Sequence, residues 1–224
     1  MSIATWMPGE GPRDKLLERG AEALSDAELL ALLLHTGYRN CSALELARDL
    51  LTQFGGLGGL MRADRSALLA CPGVGESKYA HIRAALELAR RQALQALCAG
   101  DVLSSPQATR QFLRFHLGAH RREVFSCIFL DSQHRVLRCE DMFFGTLDGA
   151  AVYPREVAVR ALQYSAAAVI FAHNHPSGVA EPSSADRRIT ERLCAALALL
   201  DVRVLDHIIV GQGCEYSFAE EGLL

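Results

Sequence analysis

The chain has 224 residues, half of them hydrophobic, and a formal net charge of −3. That length carries one large or two small domains with enough apolar material for a core, and the composition excludes collagen-like, disordered and coiled-coil classes. A protein that grips nucleic acid mainly by charge carries a basic excess, which is missing here: residues 1 to 100 hold 11 basic and 11 acidic groups, residues 101 to 224 hold 12 and 15. From Arg13 to about Gln95 the pattern is helical. Ser25-Asp26-Ala27-Glu28 reads as a capping box ahead of Leu29, Leu30, Leu32 and Leu33. Ala43 to Phe54 places Leu44, Ala47, Leu50 and Leu51 on one helix face. Gly55-Gly56-Leu57-Gly58-Gly59 then reads as a flexible interhelical turn, because the Lys-Ser/Thr ending of a phosphate loop is missing. Leu68 to Lys78 joins a short helix to a longer one through Cys71-Pro72-Gly73-Val74-Gly75.

After about Gly100 the texture changes. Val124 to Leu130 predicts a strand, Asp131 to His134 a turn and Arg135 to Cys139 a returning strand. Pro154 to Tyr164 predicts a helix opened by proline, and Ala166 to Ala172 a short, wholly apolar buried strand. Pro182 to Leu200 is a further helix, followed by strands at 202–205, 207–210 and 216–218. Such alternation implies an α/β sandwich. The expected organisation is therefore a helical domain over residues 1–100 and an α/β domain over 101–224, with the boundary in the Gly- and Ser-containing segment from Leu97 to Pro106.

Seven cysteines, an odd number with no CxxC pair, fit neither a disulfide framework nor a thiolate zinc site. No apolar run approaches the roughly 20 residues of a membrane span, and Met1 to Trp6 lacks the features of a secretory signal. A reducing, cytoplasmic setting is expected, with no membrane contact.

The glycines of the 68–78 turn permit close approach by another backbone, and the amides opening the next helix point outward with the positive end of its dipole. Gly73 and Gly75 can thus hold a phosphate without net charge, with Lys78 adding one ionic contact. A tight turn in a helical bundle uses the same residues equally well.

The densest chemistry lies in Ala172-His173-Asn174-His175-Pro176-Ser177-Gly178, followed by Ser183-Ser184-Ala185-Asp186. His173 and His175 are expected in the loop at the carboxyl end of the buried strand, where open α/β sheets place ligands. If that loop bends, both imidazoles reach one ion, and Asp186, in the first turn of the next helix, completes a three-ligand face with an open fourth position. Ser183 to Asp186 also reads as a capping box, and the two roles are compatible. His116 and His120 read as a solvated surface pair, because HExxH is missing and Gly118 weakens the helix. His207 reads as a satisfied structural histidine that cannot act with Asp206, since adjacent strand residues face opposite ways.

These strings carry two resemblances. Cys71 to Lys78, with the helix behind it, resembles a helix-hairpin-helix module, which implies weak, nonspecific contact with DNA backbone. His-x-His followed after seven residues by Ser-x-x-Asp resembles the signature of the JAMM (MPN-plus) metalloproteases, and the chain is similar to the RadC family through PRDKLLERGAEALSDAELLALLL, CPGVGESK, EVFSCIFLDSQHRVL, YPREVAVRAL, AHNHPSG and LDHIIV. Tyr153 stands where that family usually has histidine, outside the ligand set. The resemblance implies an α/β fold built on an MPN/JAMM, cytidine-deaminase-like sandwich, one Zn²⁺ per chain held by His173, His175 and Asp186, Glu123 as acid-base residue and Ser183 as oxyanion donor. The implied activity is hydrolysis of an amide in an unidentified protein or peptide. A DNA-repair nuclease and a non-catalytic DNA-binding adaptor are the alternatives. Substrate and oligomeric state stay open.

Overall fold

The structure, a computed structural model, describes residues 11–100, 102, 106–118, 120–145 and 152–224. Met1 to Trp6, and Ser104 and Ser105 of the expected boundary, lie outside the described residues. The chain divides into two compact units, Met1–Leu88 and Ala89–Leu224. The division falls twelve residues before the expected boundary, inside one long helix, because Ala93 and Leu97 of that helix belong to the second unit's core.

The first unit is helical: α1 (Pro12–Arg19), a 3₁₀ turn (Ala21–Ala23), α2 (Asp26–Leu34), α3 (Ala43–Phe54), α4 (Leu57–Arg62), α5 (Arg65–Leu69) and the start of α6 (Glu76–Cys98). Leu30, Leu34, Leu44, Leu50, Leu60, Leu68 and Ile82 close its core. Leu57 to Gly59 is not a flexible turn: only Gly55 and Gly56 have positive φ, and the chain re-enters a helix at Leu57 that buries Leu60. α6 ends at Cys98, a few residues past the helical pattern expected to about Gln95.

The predicted cap at Ser25 forms, and α3 opens with a second one that was not singled out in the sequence. The Ser25 amide donates to the Glu28 carboxylate at 2.8 Å while the Glu28 amide reaches back to Ser25 Oγ, and Ser42 and Glu45 repeat the arrangement at α3. The Ser25 amide and hydroxyl, helped by the Lys15 ammonium, hold the Glu28 carboxyl down at about 2. A folded-state value below the usual 4.5 means that the contribution is present above about 4.5 and is lost as pH falls toward 2. Glu28→Gln is accordingly expected to unfold at lower urea than wild type at pH 7, by about 1 kcal/mol, and the gap should narrow at pH 3. An unchanged gap would refute the linkage.

The second unit holds α7 (Pro106–Leu117), β1 (Val124–Leu130), β2 (Val136–Phe144), α8 (Pro154–Gln163), β3 (Ala168–Asn174), α9 (Ser184–Ala198), β4 (Arg203–Val210) and β5 (Glu215–Ser217). The sheet order is β2-β1-β3-β4-β5, with β3 and β4 parallel and the other neighbours antiparallel. β1 and β3 are buried along their whole length, so both of their faces must be covered. Phe125, Cys127, Phe129, Val169 and Phe171 pack under Val157 and Ala161 of α8 and Leu193 and Leu197 of α9. Ile128, Leu130, Ile170 and Ala172 face Phe112, Leu113 and Leu117 of α7. The result is a mixed α/β sandwich with helices on both sides of one sheet.

Three strand expectations change. β2 continues to Phe144, because the polar run Arg138 to Asp141 belongs to an edge strand rather than a strand end. His173 and Asn174 lie within β3, paired into the sheet, and only His175 follows it. The separate strands at 202–205 and 207–210 are one strand, β4, carrying a bulge: Val169 pairs with Val204 but Ile170 with Asp206, leaving Leu205 as the extra residue. Beyond that bulge His207 pairs with Phe171, on the face covered by α9.

Candidate metal centre

His173, one residue from the end of β3, shares the face of Phe125 and is almost fully buried against it, the two rings stacking at 6.1 Å. Asn174 points to the other face. The His175 amide still bonds Val210 O at 3.0 Å, and the chain then turns at Gly178, whose φ is +87°. That turn lets His175 Nδ1 donate to Val179 O at 2.8 Å and swings Nε2 back toward His173. α9 opens with Ser183 as N-cap; its amide donates to Asp186 Oδ2 at 2.7 Å and its hydroxyl accepts from the Asp186 amide at 3.1 Å. The capping box therefore aims the carboxylate that the ligand reading uses, so the two roles of Ser183 to Asp186 coincide.

The three donors converge. His173 Nε2 lies 3.0 Å from His175 Nε2 and 3.4 Å from Asp186 Oδ1, and His175 Nε2 lies 3.5 Å from Asp186 Oδ2. One atom from each residue lies within 4.8 Å of the others, a spacing compatible with a single bound metal ion. Among the described residues, this is the one cluster of three or more His, Cys, Asp or Glu that can hold a metal ion.

Burial pushes the His173 pKa down to about 4, against the pull of Asp186, so the ring is neutral at physiological pH, the form in which an imidazole can bind a metal. His175 is shifted up by its hydrogen bond to Asp186. Asp186 feels burial first, yet the His175 bond, the charge of His173 and the Ser183 amide and hydroxyl hold it well below the ordinary carboxylate range.

Glu123 is half-buried immediately before β1, and its charge raises the His175 pKa, which places its carboxylate in the field of the site. Its backbone is clamped on both sides. Asn174 Oδ1 accepts from the Val124 amide at 2.9 Å, and Asn174 Nδ2 donates to Arg122 O at 3.1 Å and His120 O at 3.3 Å. Asn174 was not singled out in the sequence; its position between two candidate ligands on alternating faces is the signal that could have found it.

His207 is buried and satisfied, but its partners are Nδ1 of His173 at 2.8 Å and Thr190 Oγ1 at 2.6 Å, so it stands directly behind the cluster. Asp206 is separate, accepting from the amides of His207 and Ala219 and from Ser217 Oγ. His116 is not solvated: its Nε2 lies 2.6 Å from Asp141, which also accepts from Ser126 Oγ at 2.5 Å. His120, three residues past the end of α7, is half-buried as well, its ring edge-on to that of His116 at 6.3 Å.

In the first unit, Lys78 Nζ donates to Gly73 O at 2.8 Å and Gly37 O at 3.1 Å, which occupies two of its three donors. Gly73 has φ +86°, and a Cβ there would lie 2.5 Å from Tyr38 Cβ; around Gly75 an added Cβ meets nothing within 4 Å. Gly73→Ala should therefore lower the melting temperature, with a loss of about 1–3 kcal/mol from the strained backbone alone. Gly75→Ala should stay within about 0.5 kcal/mol of wild type. Equal effects of the two would contradict this reading of the turn.

No helix among the described residues is long and apolar enough to cross a membrane. Residues 103–223 match the family model described as RadC-like JAB domain, and residues 3–80 match the one described as UPF0758 N-terminal. Proteins named UPF0758 from Nitrosococcus oceani, Halorhodospira halophila and Tolumonas auensis are 57%, 55% and 54% identical to this chain over the whole of both sequences. JAB domains are related to metal-dependent hydrolases, and the donor cluster sits within the matched region. The chain belongs to the UPF0758 family of proteins with a RadC-like JAB domain.

Proposed function

We propose that the protein is a zinc-dependent amide hydrolase of the JAMM type, acting on a peptide or isopeptide bond. The observation that carries this reading is the triangle of His173, His175 and Asp186, with a spacing compatible with a single bound metal ion and with Glu123 held beside it by Asn174. Zinc bound to those donors supplies Lewis acidity and brings the pKa of water to about 7. Glu123 would serve as the acid-base residue, taking a proton from the water as it adds to the amide carbonyl and returning it to the nitrogen as the C–N bond breaks. Ser183 Oγ accepts from the Asp186 amide, which leaves its hydroxyl hydrogen free to stabilise a developing oxyanion at the N-terminus of α9.

Asn174 completes the literal His-Asn-His string, yet its side chain holds backbone on the far face of the sheet and offers nothing to the donor cluster. That separation weighs against a nuclease built on the tripeptide. Any contact with DNA backbone would fall on the outward amides near Gly75 and the remaining Lys78 donor. The test is product profiling of the zinc-loaded protein on peptide, isopeptide and DNA substrates. Amide cleavage that stops on chelation is the expected result; metal-dependent DNA cleavage with intact amides would overturn it.

A further inference from the structure

Behind the donor triangle runs a second row of polar atoms. His173 Nδ1 lies 2.8 Å from His207 Nε2, His207 Nδ1 lies 2.6 Å from Thr190 Oγ1, and that hydroxyl lies 2.6 Å from the main-chain carbonyl of Asp186. His173, His207 and Thr190 are all buried, so each bond matters more than it would in water. The far end of the row decides the direction of every bond. A carbonyl only accepts, so Thr190 gives its single hydroxyl hydrogen to Asp186 O and must accept from His207. His207 then carries its hydrogen on Nδ1 and presents Nε2 as an acceptor. The assignment left for His173 is a hydrogen on Nδ1 donated to His207, with a bare Nε2 facing His175 and Asp186.

We infer that Thr190 and His207 are positioning residues that lock His173 into the tautomer whose Nε2 binds a divalent metal. The inference rests on the metal reading above and extends it inward. A ligand histidine ordinarily gives its second ring hydrogen to a carboxylate, a carbonyl or water; here a second imidazole receives it and passes the constraint to a hydroxyl. The row ends on the backbone of Asp186, so two of the three donors are tied together through the protein interior. Space filling alone does not call for a histidine at 207. The ring is surrounded by Phe125, Phe171 and Phe218 at 5.4, 6.0 and 4.9 Å, a setting that a phenylalanine ring would suit.

That setting makes His207→Phe a usable probe, and Thr190→Val, Thr190→Ser and His207→Gln complete the set. Zinc affinity of the full chain is measured by chelator competition, and the Co²⁺ absorption spectrum reports the ligand geometry. His207→Phe and Thr190→Val are expected to lose roughly 10- to 100-fold in zinc affinity and to alter the cobalt spectrum. Thr190→Ser keeps the hydroxyl, and His207→Gln keeps one acceptor for His173 and one donor for Thr190, so both should recover most of the affinity. In metal-free wild type, ¹⁵N ring shifts should show His173 hydrogenated on Nδ1; in His207→Phe the other tautomer should become populated. Wild-type affinity in Thr190→Val, or equal weakening in Thr190→Ser, overturns the relay while leaving the metal site standing. A wild-type chain that takes up no zinc overturns both. The Thr190 pair carries the test whatever His207→Phe does to folding.

Discussion

On the proposed metal reading, purified wild type is expected to carry about one zinc per chain and Asp186→Ala almost none. Asp186 is the sole carboxylate of the donor cluster, and two imidazoles 3.0 Å apart are left without it. A three-residue catalytic site has no spare ligand to compensate, so binding at nanomolar to micromolar free zinc should fail. The substitution has a second effect, because the same carboxylate accepts from the Ser183 amide and caps α9. Losing that cap should destabilise the fold by about 1 kcal/mol. Asp186→Asn separates the two: its amide oxygen can still accept from Ser183, but the charge is gone. Metal analysis after desalting without chelators should find zinc lost from both variants and the stability loss mainly in the alanine form. Wild-type zinc content in either would remove Asp186 from the ligand set.

Glu123→Gln should show the converse pattern, full zinc content and a rate reduced by about 10²- to 10⁴-fold. The carbonyl of Glu123 accepts from the Gly145 amide at 2.8 Å and Asn174 clamps the residues on either side, so the backbone geometry does not depend on the carboxylate. Glutamine fills the same volume and cannot take a proton. The comparison is made on whichever amide substrate the profiling identifies, with zinc measured in the same preparation. An unchanged rate would assign the proton transfer elsewhere and favour the adaptor alternative.

The donor cluster was legible because it is local. His173, His175, Ser183 and Asp186 fall within 14 residues, and one strand, one turn and one capped helix suffice to bring them together. The layers of the sandwich were legible for a related reason, since β1 is apolar apart from Ser126 and β3 is apolar up to Ala172, runs of the kind that a doubly covered strand buries. What the sequence hid is tertiary. Thr190 and His207 reach the site from α9 and β4, and nothing in either local pattern separates a histidine bonded to a ligand from one that merely packs. β2 looked too short because an edge strand tolerates Arg138, Glu140 and Asp141 where a central strand does not. Leu57 to Gly59 looked like a loop because glycine discourages helix, but the burial of Leu60 overrode that preference. Lys78 looked free for phosphate, and its ammonium instead holds two carbonyls of its own unit together.

The unpaired Leu205 in β4 makes the bulge itself a constituent of the candidate centre. Along a strand the two faces alternate like odd and even numbers, and one extra residue exchanges them. With the count as it stands, an imidazole lies beside His173, while the carboxylate of Asp206 is sent to the opposite side to accept from Ser217 and two backbone amides. Were the bulge ironed out with Leu205 kept, Leu205 would pair with Ile170 and Asp206 with Phe171, which would bring Asp206 round behind His173 in place of His207. Both versions would contain every histidine and acid of the original, yet one would back its ligand with a neutral ring and the other with an anion. The pairing of β4 with β3 thus sets the electronics behind the candidate ligand without touching any of the three donor side chains.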